Sequence, residues 1–355
     1  MKTNRIEYID ALRGFAILLV IFCHIEIHSF QNQAFLYTHI YKLIHMPLFF
    51  FISGYIALQN NKVWDTHTFL QESMKKTRIL IVPAFLFGLI YTYFFANGNL
   101  AIFISDISKQ GYWFTIALFE MFLVYYTANY ILYRCKQKVS NHTFIAAMFM
   151  TILGVYLLKI SSLHYKPIND FMNITSFYYL PFYYPHFIFG VIAAKYKTYF
   201  EKFIDNSYVM AGTLIIFSTI LGFRPFLIEH LLGGKEISAC IISFTGIIVV
   251  YNFFRKYQTN LSSSTKLGAS LQYIGKKTLD IYLLHYFFLP YIPKIHQLWG
   301  TSPNLIMELI GFLLVFLVIG CCLITSNIIR LSDFLGYWLF GTKYSKVKNK
   351  SEECK

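Results

Sequence analysis

Long apolar runs recur along the whole chain, parted by short polar stretches. Ten of them reach or approach the ~20 residues that a helix needs to cross a bilayer. They lie at 8–27, 44–58, 79–95, 112–133, 144–160, 178–194, 209–223, 237–254, 279–295 and 305–329. In lipid the backbone has no water to bond, so each run is expected to be a helix. The second, seventh and ninth are short or broken, and Pro290 and Pro293 predict a kink in the ninth. The longest polar stretch, from Arg255 to Thr278, contains TNLSSSTK and reads as a linker. The prediction is an all-α polytopic membrane protein of about ten transmembrane helices. A membrane-embedded domain covers 1–340, and a short basic tail covers 341–355.

Composition agrees. Of the 355 residues 56% are hydrophobic and only 14% charged, against about 25% charged in soluble domains. The net charge of +14 would favour nucleic acid in a soluble chain. Here no basic face or RNA-binding motif accompanies it, and the bilayer is the expected partner. With the N-terminus inside, ten spans return the C-terminus inside. Inside segments then hold 23 Lys and Arg, and outside segments 7. That asymmetry predicts both termini to be cytoplasmic. The six Cys form no CxxC pair and read as small core residues. The first apolar run lacks a signal-peptide cleavage pattern and contains Arg13.

Ionisable groups inside a membrane are costly and mark function. The first span reads YIDALRGFAILLVIFCHIEIHSF. Asp10 and Arg13 are i, i+3 neighbours. Arg13 and His24 are eleven residues apart, which returns them to one helix face about 16 Å apart. Gly14 permits close approach beside Arg13. His24, Glu26 and His28 do not converge from one helix, so no metal site is expected. His45 opens the second span and can meet His24 across a short hairpin, as paired imidazoles near neutrality. Lys75, Lys76 and Arg78 crowd the inner boundary of the third span, either as anchors or as an anion site. Trp113 stands at the outer interface of the fourth span. Two turns further, Glu120 needs a partner, and Arg13 or a histidine is the expectation. His186 lies in the sixth span. His285 follows Asp280 by five residues and is expected in the inner half of the ninth.

IDALRGFAILLVIFCH, HMPLFFFISGY, KKTRILIVP, YWFTIALF, LPFYYPHFIFG and YIGKKTLDIYLLH, in that order, resemble the acyltransferase-3 family of integral membrane acyltransferases. The HMPLFFFISGY version is nearest to its fucose-acetylase-like, capsule-modifying branch. The resemblance implies O-acyl transfer in the bacterial inner membrane. The acyl group is usually acetyl and comes from acetyl-CoA as co-substrate, with no permanently bound cofactor. The acceptor is a hydroxyl of a glycan or lipid-linked sugar. The resemblance marks Arg13 and His24 as essential, and points more weakly to His45, Arg78 and His285.

Such chemistry needs a base, an oxyanion partner and a thioester pocket. His24, helped by His45, is the expected base, with Arg13 and Glu120 completing the catalytic set. Glu120 enters from burial and not from the resemblance. Arg13, Lys75, Lys76 and Arg78 are expected to bind the donor, and Trp113 and His285 the acceptor. No GxSxG elbow suggests an acyl-serine. Two alternatives stay open here: a transporter or flippase for lipid-linked sugars, and a non-catalytic subunit of a polysaccharide synthase.

Overall fold

The computed structural model describes residues 6–30, 38–58, 62–95, 98–135, 140–292 and 305–341. Residues 31–37, Pro293 and the chain beyond Gly341 lie outside the described residues. Helix α1 (Glu7–His24) is apolar on nearly every face and is therefore the buried axis of the bundle. It is wrapped by α2 (Thr38–Ala57), α12 (Gly234–Lys256), α13 (Lys266–Lys276), α14 (Thr278–Leu284) and α15 (Leu305–Ile329). Every regular element among the described residues is helical, and eight helices are long and apolar enough to cross a membrane.

Two expected spans take a different form. The sixth is α9 (Leu180–Lys195), only 16 residues long, which packs against α2. Glycine permits that contact: a Cβ on Gly54 would strike the Phe187 carbonyl, and one on Gly190 the Phe51 carbonyl. The ninth begins well before its apolar run. The stretch read as a linker contains α13, capped where the Thr265 hydroxyl accepts from Gly268 N–H at 3.0 Å. Helix α13 presses on α1, where a Cβ on Gly14 would collide with the Leu271 carbonyl and one on Gly275 with the Asp10 carbonyl. The preceding serines are pinned too: Ser263 donates its N–H (3.0 Å) and hydroxyl (2.8 Å) to the Glu7 carboxylate. Polar composition concealed a helix whose glycines let its backbone approach α1 closely. After α14 a single 3₁₀ turn (His285–Phe287) ends the helix before Pro290, so that proline terminates it and does not kink it.

The third span also starts earlier than its apolar run. Asp65 caps α3 (Thr66–Lys76) by accepting from Thr68 N–H at 2.8 Å. A π turn (Thr77–Ile81) joins α3 to α4 (Val82–Phe95), making one run of 30 residues. A second π turn (Ile25–Ser29) follows His24 at the end of α1. Such turns gather at functional sites. Beyond α4 come the short α5 (Ala101–Ser105), then α6 (Trp113–Arg134), α7 (Asn141–Ser162) and α8 (Lys166–Ile174). After α9, α10 (Lys197–Asp205) precedes α11 (Ser207–His230), which packs on α12 and buries none of its apolar window.

One ion pair locks α14 to α15. Asp280, 3% exposed, accepts from Arg330 Nε (2.9 Å) and Nη2 (2.8 Å), with the Ser326 hydroxyl also donating and Lys277 at 3.5 Å. Removing one partner of a buried pair strands a charge and costs about 3–5 kcal/mol. Arg330→Ala is therefore expected to lower the thermal midpoint of the detergent-solubilised protein markedly. A paired Asp280→Leu, Arg330→Met change should cost much less. Equal midpoints for Arg330→Ala and the parent protein would show that the pair carries no stability.

Candidate functional site

Along α1, Arg13, Ile17 and Val20 lie at i, i+4 and i+7 on one face and line a cavity of about 270 Å³. Helix α2 adds Phe49, Ile52 and Ser53, and α6 adds Phe114, Leu118 and Phe122. Thr278, Leu279 and Tyr282 close it from α14. Lys76 joins Arg13 at one end, where Ile56 is also exposed, and the other walls are mostly apolar, with Ser53, Thr278 and Tyr282 the polar exceptions. Arg13 keeps its i, i+3 partner, with Nη1 3.9 Å from Asp10 Oδ1. The Lys76 ammonium sits 3.6 Å from the centre of the Phe122 ring.

The four cations expected to act together divide. Lys75 is half exposed and pairs with Glu72 at 3.7 Å, away from the cavity. The Arg78 guanidinium stacks 4.9 Å from the Tyr337 ring of α16 (Asp333–Phe340), although its neighbours Ile79 and Leu80 do line the cavity.

The next residue on the Arg13 face is His24, one turn beyond Val20, at i+11. Its ring lies 5.0 Å from His285, 5.0 Å from Tyr286 and 5.8 Å from His28, centre to centre. His24 Nε2 stands 3.3 Å from the Tyr286 hydroxyl. His285 Nδ1–H donates to the Tyr282 carbonyl at 2.6 Å, which leaves the lone pair on Nε2. His285 Nε2 and His24 Nδ1 are both buried without a hydrogen-bond partner among the described residues. This is a pair of touching imidazoles, each with one nitrogen uncommitted. No group of three or more His, Cys, Asp or Glu among the described residues is placed to hold a metal ion.

Several expected neighbours are not made. His45 comes near enough to His24 for their charges to interact but makes no hydrogen bond or ring contact with it; its Nδ1 donates to the Tyr41 carbonyl of its own helix at 2.8 Å. His285, expected near the Asp280 end of its helix, sits beside His24 at the far end of α1 from Arg13. Helix α13 crosses α1 at Asp10 and Gly14, and the seven residues of α14 then carry the chain along α1 to His24. Glu120 meets neither Arg13 nor a histidine: its Oε1 accepts from Ser176 N–H at 3.1 Å, so it holds the α8–α9 connection. Trp113 stacks on Tyr179 at 4.0 Å and Tyr183 at 5.5 Å, tying the start of α6 to the start of α9. His186 lies apart, 2.8 Å from the Ser243 hydroxyl.

Sequence reasoning missed Tyr282, Tyr286 and the gathering of His28. The first two were detectable only as the i−3 and i+1 neighbours of His285. What they touch is set by a turn more than 170 residues earlier. There Lys109, Gln110 and Gly111 have φ of 50°, 51° and 95°. The Gly111 carbonyl accepts from the Tyr282 hydroxyl at 2.7 Å, and Phe114 N–H donates to that same hydroxyl at 3.3 Å.

The family model described as "Acyltransferase domain" matches residues 6–326. The chain belongs to the acyltransferase-3 family. It is an integral membrane acyltransferase, and the transporter reading falls away. No curated protein and no solved structure matches it. The matched region holds the cavity and the histidine cluster complete.

Proposed function

We propose that the protein is an O-acetyltransferase that moves acetyl from acetyl-CoA to a hydroxyl of a surface polysaccharide or lipid-linked sugar. One observation carries this reading. A largely apolar cavity holds two cations, Arg13 and Lys76, and follows the α1 face as far as Val20, one turn short of His24. At about 270 Å³ it lies just below the range of drug-sized sites, so it suits an arm and not a whole nucleotide. The CoA phosphates then meet Arg13 and Lys76 at the cytoplasmic mouth, and the pantetheine thioester extends inward. His24 takes the proton of the acceptor hydroxyl as that oxygen attacks the thioester carbonyl; the C–S bond then breaks and the proton passes to the departing CoA thiolate. The charge excess of inner loops supports a cytoplasmic donor and an acceptor on the other face.

The test supplies acetyl-labelled CoA to membranes that hold the protein and follows the label into polysaccharide. Label on the glycan and free CoA in equal amounts are expected, both lost when the gene is removed. Intact acetyl-CoA alongside normal glycan acetylation would overturn the reading.

A further inference from the structure

We propose that Tyr286 is a positioning residue for this acyl transfer: it accepts the Nε2–H of His24 and so fixes the basic lone pair on Nδ1. The inference rests on the reading of His24 as the base. Tyr286 is buried, and its hydroxyl lies 3.3 Å from His24 Nε2. That contact alone allows either atom to donate. The other ring nitrogen decides. His45 and His285 each give Nδ1–H to a backbone carbonyl, at 2.8 and 2.6 Å. His24 Nδ1 is buried with no acceptor among the described residues. The Tyr286 hydroxyl has no hydrogen-bond contact besides His24 on the described chain, so either arrangement leaves one donor over. But with Nε2 engaged only Nδ1 is open to take the acceptor's proton, and a phenol hydrogen can rotate toward a new partner where a ring N–H cannot. The proton therefore sits on Nε2 and the lone pair on Nδ1. When Nδ1 takes a proton, Tyr286 still accepts from Nε2–H and steadies the cation.

Tyr286 is itself held by the turn before α6. Lys109 and Gln110 occupy the left-handed region that side chains avoid, and such strain persists only where its surroundings over-determine it. They do here. The Asp106 carboxylate accepts from the N–H groups of Ser108 and Gln110, both at 3.0 Å, and from Gln110 Nε2 at 3.1 Å. The Lys109 ammonium, 3% exposed, donates to the carbonyls of Ile104 (2.7 Å), Asp106 (2.9 Å) and Asn173 (3.0 Å). The turn delivers Gly111 against Tyr286 so tightly that a Cβ there would strike the phenol ring and hydroxyl. Its carbonyl meanwhile holds Tyr282, whose own carbonyl orients His285. One strained turn thus aligns both imidazoles through two tyrosines.

The test is Tyr286→Phe, which keeps the ring and removes the hydroxyl. Turnover is expected to fall about 10- to 100-fold, less than the about 10²–10⁴-fold cost of losing a general base. The KM for acetyl-CoA should stay within about twofold, because Tyr286 acts on the base and not on the donor. Nitrogen-15 resonances of histidine, assigned to His24 by loss in His24→Gln, should show protonation at Nε2 in the parent protein. In Tyr286→Phe they should show a mixture of tautomers. Gly111→Ala is expected to reproduce the turnover loss by displacing the ring; should it fail to insert, Tyr286→Phe alone decides. Parent-like turnover in Tyr286→Phe, with His24→Gln inactive, would overturn the positioning role alone. So would an Nδ1-protonated His24 in the parent protein. Activity retained in His24→Gln would overturn the base assignment and the positioning role with it.

Discussion

His24→Gln is expected to leave the acceptor unacetylated while the protein inserts, folds and still binds acetyl-CoA. The near-isosteric amide keeps a donor near Tyr286 but cannot take a proton at neutral pH. Losing general-base catalysis costs about 10²–10⁴ in rate, whereas losing a packing side chain mainly lowers stability. His24 has a single hydrogen-bond contact on the described chain, the 3.3 Å approach to Tyr286, so its removal should disturb little of the fold. Turnover should therefore drop at least about 100-fold, with the detergent thermal midpoint nearly unchanged. His45→Ala should lower turnover less, since its ring is committed to the Tyr41 carbonyl and does not touch His24. Labelled acetyl transfer in membranes, normalised to protein present, measures both. Substantial acetylation by well-expressed His24→Gln would remove His24 as the base.

What the sequence revealed and what it hid have a common physical origin. Periodicity along one helix was enough to place Arg13 and His24 on one face, and the cavity runs down that face. The i, i+3 spacing likewise predicted the Asp10–Arg13 pair. Contacts between helices were harder. A short hairpin brings His24 and His45 to similar depth, but loop length does not fix how α2 rotates about its axis. The rotation adopted points His45 at its own backbone and leaves His24 to His285, which is 261 residues away in the chain. Composition misled in the stretch from Arg255 to Thr278, because the close α1–α13 approach turns on Gly14 and Gly275, with only Leu271 and Ile274 of α13 adding bulky apolar side chains to the core there. Glu120 was expected to need a charge, yet a backbone N–H from Ser176 engages one of its carboxylate oxygens.

Arg13→Ala and Lys76→Ala are each expected to raise the KM for acetyl-CoA about 10- to 150-fold. That is the fold-change matching about 1.5–3 kcal/mol for a hydrogen bond to a charged group. Both side chains line the cavity mouth, and both face an anionic donor in the proposed reaction. Turnover at saturating donor should change far less, since neither group reaches the His24 end. Arg13→Lys should recover only part of the loss, because an ammonium cannot reproduce a planar two-point contact with phosphate. The same geometry separates these two cations from their neighbours. Lys75→Ala should leave KM almost unchanged: its half-exposed pair with Glu72 is of a kind worth about 0–1 kcal/mol and lies away from the cavity. Arg78→Ala should act through stability, by losing its stacking on Tyr337, before it acts on donor binding. Donor titrations on the four variants, each with its thermal midpoint, give the comparison. Equal KM increases in all four would mean a diffuse basic surface and not a two-cation mouth. No increase in Arg13→Ala and Lys76→Ala would move the donor out of this cavity altogether.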